Sequence, residues 1–102
     1  MDAAPRFSVV IPLRDEEEVL PALASRLETA LDGLGGTWEV ILVDDGSRDG
    51  TYGLAVELHG RDPRFKVVRL SRGFGHQIAL SAGLDLARGH AVLTMDGDLQ
   101  HP

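Results

Sequence analysis

Trp38-Glu39-Val40-Ile41-Leu42-Val43, followed at once by Asp44-Asp45-Gly46-Ser47-Arg48-Asp49-Gly50, is the stretch on which the fold turns. A short apolar run rich in β-branched side chains reads as a strand. Asp, Gly and Ser clustered directly after it read as a tight loop. From Thr51 to about Leu58 the pattern becomes helical, with Ser47 or Asp49 as its cap. Strand, acidic loop and helix in that order form one unit of an α/β protein.

The same unit repeats on both sides. Upstream, Phe7-Ser8-Val9-Val10-Ile11 reads as a buried strand ended by Pro12. Glu16, Glu17 and Glu18 then open a helix, where acidic side chains favour the positive end of the dipole. Leu20, Leu23, Leu27, Leu31 and Leu34 recur at helical spacing and form its buried face. Pro21 lies early enough to be a first-turn residue, and Gly33, Gly35 and Gly36 end the helix. Downstream, Lys66–Leu70 is a third strand and Ser71–Gly75 a loop. His76 to about Arg88 is a helix closed by Gly89, and Ala91–Met95 is a fourth strand followed by Asp96-Gly97-Asp98-Leu99-Gln100-His101-Pro102. Alternation of this length predicts an α/β class with a mainly parallel, Rossmann-like sheet and flanking helices.

Four polar motifs share one place in this scheme. Pro12–Glu16, Asp44–Asp49, Ser71–Gly75 and Asp96–Gln100 all follow the C-terminal ends of strands, the edge at which open α/β sheets bind ligands. Asp96 and Asp98, two apart around Gly97, can face one hard cation such as Mg²⁺ or Mn²⁺, with Gln100 adding an amide oxygen. Asp44 and Asp45 are adjacent like charges, costly unless a ligand, a cation or N–H donors take them up. Asp45 is the favoured functional member, able to accept from a base N–H or ribose hydroxyls. The glycines, free N–H groups and Arg72 of Ser71–Gly75 suggest a phosphate cradle, against the commoner reading of a flexible helix start. Phe74 reads as packing. Asp15 and Glu16 lie where they reach the same edge. His59, His76, His90 and His101 lack metal-ligand spacing, and only His101 adjoins an acidic motif.

Composition narrows the class. With 102 residues, 43% apolar and 25% charged, the chain is one small globular domain or part of a larger one. Its net charge of −6 argues against nucleic acid as a partner. The absence of cysteine excludes disulfides, thiolate metal sites and cysteine nucleophiles. No apolar run reaches the roughly 18–20 residues of a membrane span, and the first residues carry no secretory pattern.

Taken together, Ser8–Pro12, Asp15–Glu18, Val43–Thr51, Leu70–Gly75 and Met95–Pro102 resemble the family 2 glycosyltransferases of GT-A fold. Within these they are most similar to the polyprenyl-phosphate (dolichol-phosphate mannosyltransferase-like) sugar transferases. The resemblance covers nearly the whole chain, and the ordered set is far more specific than any one motif. It implies transfer of a sugar, with inversion, from a UDP- or GDP-sugar to a lipid-phosphate or glycan acceptor of the cell envelope. It places Pro12, Asp15 and Glu16 at the nucleotide pocket, Asp45 at the base or ribose with Asp44 nearby, and Asp96, Asp98 and Gln100 on the metal. It implies that residues 1–102 are the N-terminal nucleotide-sugar-binding part of the domain, truncated after the Asp-x-Asp motif and inactive alone. The acceptor site, any catalytic base and any membrane association would then lie beyond Pro102, and the protein would be cytoplasmic or at the cytoplasmic face of a membrane. Two positions depart from the family pattern: Leu13-Arg14 replaces an aromatic-Asn pair, and His101 replaces an Asp.

Rival α/β readings fit less well. A phospho-acceptor receiver domain carries its acidic pair after the first strand, whereas here it follows the second. A haloacid-dehalogenase-like phosphatase carries its Asp-x-Asp first rather than late. The alternative of another class is a non-catalytic nucleotide-binding or interaction module.

Overall fold

Val9, Val10 and Ile11 of strand β1 (Phe7–Leu13) and Val40–Val43 of strand β2 (Trp38–Asp44) are no more than 2% exposed. Unbroken apolar runs of this kind belong to strands covered on both faces, and the computed structural model, which describes residues 4–95, shows that arrangement. The remaining elements are helix α1 (Leu20–Asp32), helix α2 (Thr51–Arg61), strand β3 (Phe65–Arg69), helix α3 (His76–Leu86) and strand β4 (Ala91–Thr94). The sheet order is β3-β2-β1-β4 with every pair parallel. Helices α1 and α2 cover one face, where Leu20, Leu23, Leu27, Leu31, Ala55 and Leu58 pack on Val9, Ile11, Val40 and Leu42. Helix α3 covers the other, its Ala79 meeting Val10, Ile41 and Val43. It lies so close that a Cβ on Gly83 would stand 2.3 Å from a Val10 methyl.

Helix α1 buries four leucines and Ala24, and each buried leucine stabilises the fold by about 1.5–3 kcal/mol. Two expectations about this helix are corrected. Glu16–Glu18 do not open it; they lie in the preceding turn, and the first helical residue is Leu20 with Pro21 directly after it. Leu34 is not on its buried face but 53% exposed, because the helix closes at Gly33 and Leu34 falls outside it. Similarly, α3 ends at Leu86 rather than Arg88, and β3 is shifted by one residue to Phe65–Arg69.

Pro12 does not end β1, which continues to Leu13 with Pro12 opposite Val43. In a strand, alternate residues aim their N–H and C=O groups to the same side. Val10 accepts from the Met95 N–H on the β4 side, so the N–H that Pro12 lacks faces that side too. Among the described residues the last β1–β4 pair is Val10 with Thr94, and no ladder bond to β2 is lost.

At the N-terminal edge of the sheet a polar network is sealed into the structure. Glu39, 2% exposed, accepts from the Ser8 hydroxyl at 2.6 Å, the Lys66 ammonium at 2.7 Å and the Arg88 N–H at 2.8 Å. Ser8 in turn accepts from the Gly89 N–H at 2.7 Å. Burial pushes the Glu39 carboxyl up, but Lys66, Ser8 and the Arg88 N–H together hold it below its ordinary value. The network ties the α3–β4 connection to three strands.

Candidate functional site

The loops that leave the C-terminal ends of β1, β2 and β3 are stapled to one another, largely through backbone N–H groups. Asp15, held at φ +53°, donates its N–H to Ser47 Oγ at 2.9 Å, and its carboxylate accepts the Arg48 N–H at 2.7 Å. The Glu16 N–H donates to Thr51 Oγ1 at 2.7 Å and the Glu17 N–H to Asp49 Oδ2 at 3.3 Å. Asp49 also accepts the Thr51 N–H at 2.9 Å, but the N-cap of α2 is Gly50, so Asp49 serves the helix start from one residue before the cap position. Its burial, which would raise its carboxyl pKa, is outweighed by the Thr51 hydroxyl and these N–H donors, which hold it below the ordinary value. Ser47 is not a cap: it joins the first loop to the second.

Asp45 joins the second loop to the third. It is 4% exposed, and its carboxylate accepts the Phe74 N–H at 2.8 Å and the Gly75 N–H at 3.1 Å. The repulsion implied by adjacent Asp44 and Asp45 is thus relieved on the Asp45 side by N–H donors. These bonds occupy the Phe74 and Gly75 N–H groups, two of the donors that a phosphate cradle in this loop would use. Arg72 stands apart, its guanidinium 4.8 Å from the centre of the Phe74 ring, and Phe74 is 37% exposed rather than packed inside. Gly46, at φ +75°, allows the loops to meet: a Cβ there would lie 2.4 Å from the Gly73 nitrogen. Asp44 is closed off from solvent with no hydrogen bond to either carboxylate oxygen. Its nearest opposite charge is Arg69, at 3.7 Å, which itself stacks 4.3 Å from the Tyr52 ring.

Pro12, Glu16 and Asp45 come together, as the sequence led us to expect. With Leu13, Arg14, Gly75 and His76 they line a cavity of about 220 Å³. Asp15 and Glu16 also line a neighbouring acidic cavity of about 510 Å³ with Arg14, Glu17, Glu18, Val19 and Asp49. A third space, of about 180 Å³, lies between His76, Leu80, Thr94 and Met95. Strand order 3-2-1-4 reverses between β1 and β4, and at such a switch point the loops diverge to leave a crevice. The first and third cavities open there. The sequence does not single out Arg14 or His76 as site residues; the available signal is that Arg14 lies within the Pro12–Glu16 motif and His76 directly follows Ser71–Gly75. His59 is structural, bonded through Nδ1 to the Phe65 carbonyl at 2.7 Å.

Asp96, Asp98 and Gln100, the expected metal ligands, lie outside the described residues, as does His101. Among the described residues no group of three or more His, Asp or Glu could hold a metal ion, and no helix is long and apolar enough to cross a membrane.

Comparison with known proteins places this geometry. An undecaprenyl-phosphate 4-deoxy-4-formamido-L-arabinose transferase of Salmonella typhimurium is 41% identical over 99% of the chain and 32% of its own length. S. aureus TarS in complex with UDP-GlcNAc superposes with a TM-score of 0.75 and 29% identity over 91% of the chain and 26% of TarS. A mannosyltransferase from Pyrobaculum calidifontis, in complex with GDP-Man and Mn²⁺, gives 0.67 and 25% over 94% of the chain and 28% of that enzyme. The chain thus spans about a third of these proteins or less, and shares the GT-A fold. Residues 8–102 match the profile described as Glycosyl transferase family 2, and the chain belongs to that family.

Proposed function

We propose that the chain is the nucleotide-sugar-binding part of a transferase that moves a sugar, with inversion, from a UDP- or GDP-sugar to a polyprenyl phosphate. The observation that carries the donor half of this reading is the cavity of Pro12, Glu16 and Asp45 at the switch point. A carboxylate offers about four acceptor sites, and two N–H groups of the third loop occupy Asp45. Capacity remains for a base N–H or a ribose hydroxyl. The loop staples fix the carboxylate before a ligand arrives, which reduces the ordering cost of binding. The acceptor half rests on the lipid-phosphate transferase among the relatives.

A divalent cation, Mn²⁺ or Mg²⁺, is proposed on Asp96, Asp98 and Gln100, which follow β4 directly in the chain. The support is the Mn²⁺ in the mannosyltransferase complex and the hard oxygen donors of the motif. Such an ion would neutralise charge developing on the leaving diphosphate. The chain alone is expected to bind donor and to lack transfer activity.

Calorimetric titration of UDP and GDP, with and without Mn²⁺, tests the reading on the chain and on Asp96→Ala/Asp98→Ala. Metal-dependent binding, lost in the double variant while circular dichroism stays unchanged, is the expected result. A folded chain that binds neither nucleotide at millimolar concentration overturns it.

A further inference from the structure

The donor reading leaves the base open between uracil and guanine, and Arg14 bears on that choice. Arg14 lines the cavity of Pro12, Glu16 and Asp45 and also the acidic cavity beside it, and no other Lys or Arg lines either one. Its guanidinium is seated on the third loop: a Cβ on Gly73 would lie 2.5 Å from Arg14 Nη1 and 2.9 Å from the guanidinium carbon. The same loop donates the Phe74 and Gly75 N–H groups to Asp45. One loop thus holds a cation and a carboxylate on the wall of one cavity. We propose that Arg14 reads the base of a bound nucleotide sugar and selects guanine; this rests on the donor reading above.

Among the described residues the Arg14 side chain makes no hydrogen bond or ion pair, although carboxylates stand nearby. Asp15 takes up the Arg48 N–H, and Asp49 the Glu17 and Thr51 N–H groups. The other guanidiniums of this edge are placed elsewhere: Arg72 lies over the Phe74 ring, and Arg69 lies over Tyr52 beside Asp44. Guanine offers N–H donors at N1 and N2 on one edge and paired acceptors, O6 and N7, on the next. Asp45 suits the first edge, and the flat fork of Arg14 suits the second, where a guanidinium donates two bonds. Uracil has one N–H between two carbonyls and no such pair of acceptors, so it takes at most one bond from Arg14. Arg14 is exposed, so its replacement removes the donors without opening the core.

The test compares bases on a common diphosphate. GDP, UDP and 7-deaza-GDP, which lacks only the N7 acceptor, are titrated in the presence of Mn²⁺ into the chain, Arg14→Met and Gly73→Ala. Circular dichroism checks that the fold is unchanged, and amide chemical shifts follow binding. A bidentate contact to guanine corresponds to roughly tenfold or more in affinity. The unaltered chain is expected to bind GDP about tenfold tighter than UDP, and 7-deaza-GDP more weakly than GDP. In Arg14→Met, GDP falls to the level of UDP, UDP is unchanged, and 7-deaza-GDP no longer differs from GDP. Gly73→Ala places a methyl where the guanidinium sits, and gives the same pattern with Arg14 still present. UDP bound at least as tightly as GDP by the unaltered chain overturns the assignment and leaves the donor reading intact. So does an equal loss of GDP and UDP in Arg14→Met, the mark of a contact to the diphosphate. If the unaltered chain binds neither UDP nor GDP, the donor reading fails and the assignment of Arg14 with it.

Discussion

Two glycines with nearly the same backbone angle separate strain from contact. Gly35 has φ +73° and nothing within 4 Å of the point where a Cβ would sit; Gly46 has φ +75°, but a Cβ there would meet the Gly73 nitrogen at 2.4 Å and the Arg72 carbonyl carbon at 2.8 Å. Placing an L side chain in the left-handed region costs about 1–2 kcal/mol, and Gly35→Ala is expected to cost that much and no more. Gly46→Ala adds a collision with backbone. Non-bonded heavy atoms sit comfortably at about 3.5–4.0 Å, so the third loop must retreat by roughly 1 Å. Phe74 and Gly75 retreat with it, and their bonds to Asp45, now 2.8 and 3.1 Å, stretch beyond useful length. A hydrogen bond to a charged group contributes about 1.5–3 kcal/mol. Losing even one of the two on top of the strain gives about 2.5–5 kcal/mol, a large share of a small domain's stability. Urea unfolding followed by circular dichroism measures both variants, and the Phe74 and Gly75 amide resonances report the loop. Gly46→Ala unfolding at the same urea concentration as Gly35→Ala would show that the loops do not meet as described.

Other outcomes follow from the packing of α2 and from the buried network at the opposite edge. Gly53 and Gly60 lie within α2 with open space where a Cβ would go, so Gly53→Ala should raise stability by about 0.5–1 kcal/mol, read as a higher thermal midpoint. Glu39→Gln leaves buried donors unmatched and should cost about 1–3 kcal/mol at neutral pH, with little from the ion pair because Lys66 is 42% exposed. Because the folded Glu39 carboxyl sits below its usual 4.5, its contribution is fully present above that value. It is lost as pH falls through the folded pKa. The stability gap between the chain and Glu39→Gln should therefore be constant near neutrality and shrink below about pH 4.5, which unfolding curves at stepped pH will show.

The strands are legible in the sequence because burial on both faces leaves an unbroken apolar signature: Val40–Val43 and Val9–Ile11 can be little else. Leu34 is not, because helical spacing continues past Gly33 although the helix does not; period alone carries no stop signal when the closing residue sits in the ordinary helical region, as Gly33 does at φ −71°. At the site, the sequence marks the edge but not the bonding within it. Asp15 and Asp45 look like ligand residues in one dimension. That their carboxylates meet the Arg48, Phe74 and Gly75 N–H groups depends on loops about thirty residues apart in the chain. His76 carries no mark of its own in the sequence, because metal-ligand spacing gives no reason to stop at a single imidazole.

Pro12 acts on the two neighbours of β1 unequally. Towards β2 the strand is complete, and Leu13 still accepts the Asp45 N–H at 2.8 Å. Towards β4 it withholds the next donor: among the described residues the last pair on that side is Val10 with Thr94, three residues before Leu13 with Asp44 on the β2 side. The side of β1 that faces the crevice is thus the side on which this strand has one donor fewer, and a single residue with no N–H makes the difference.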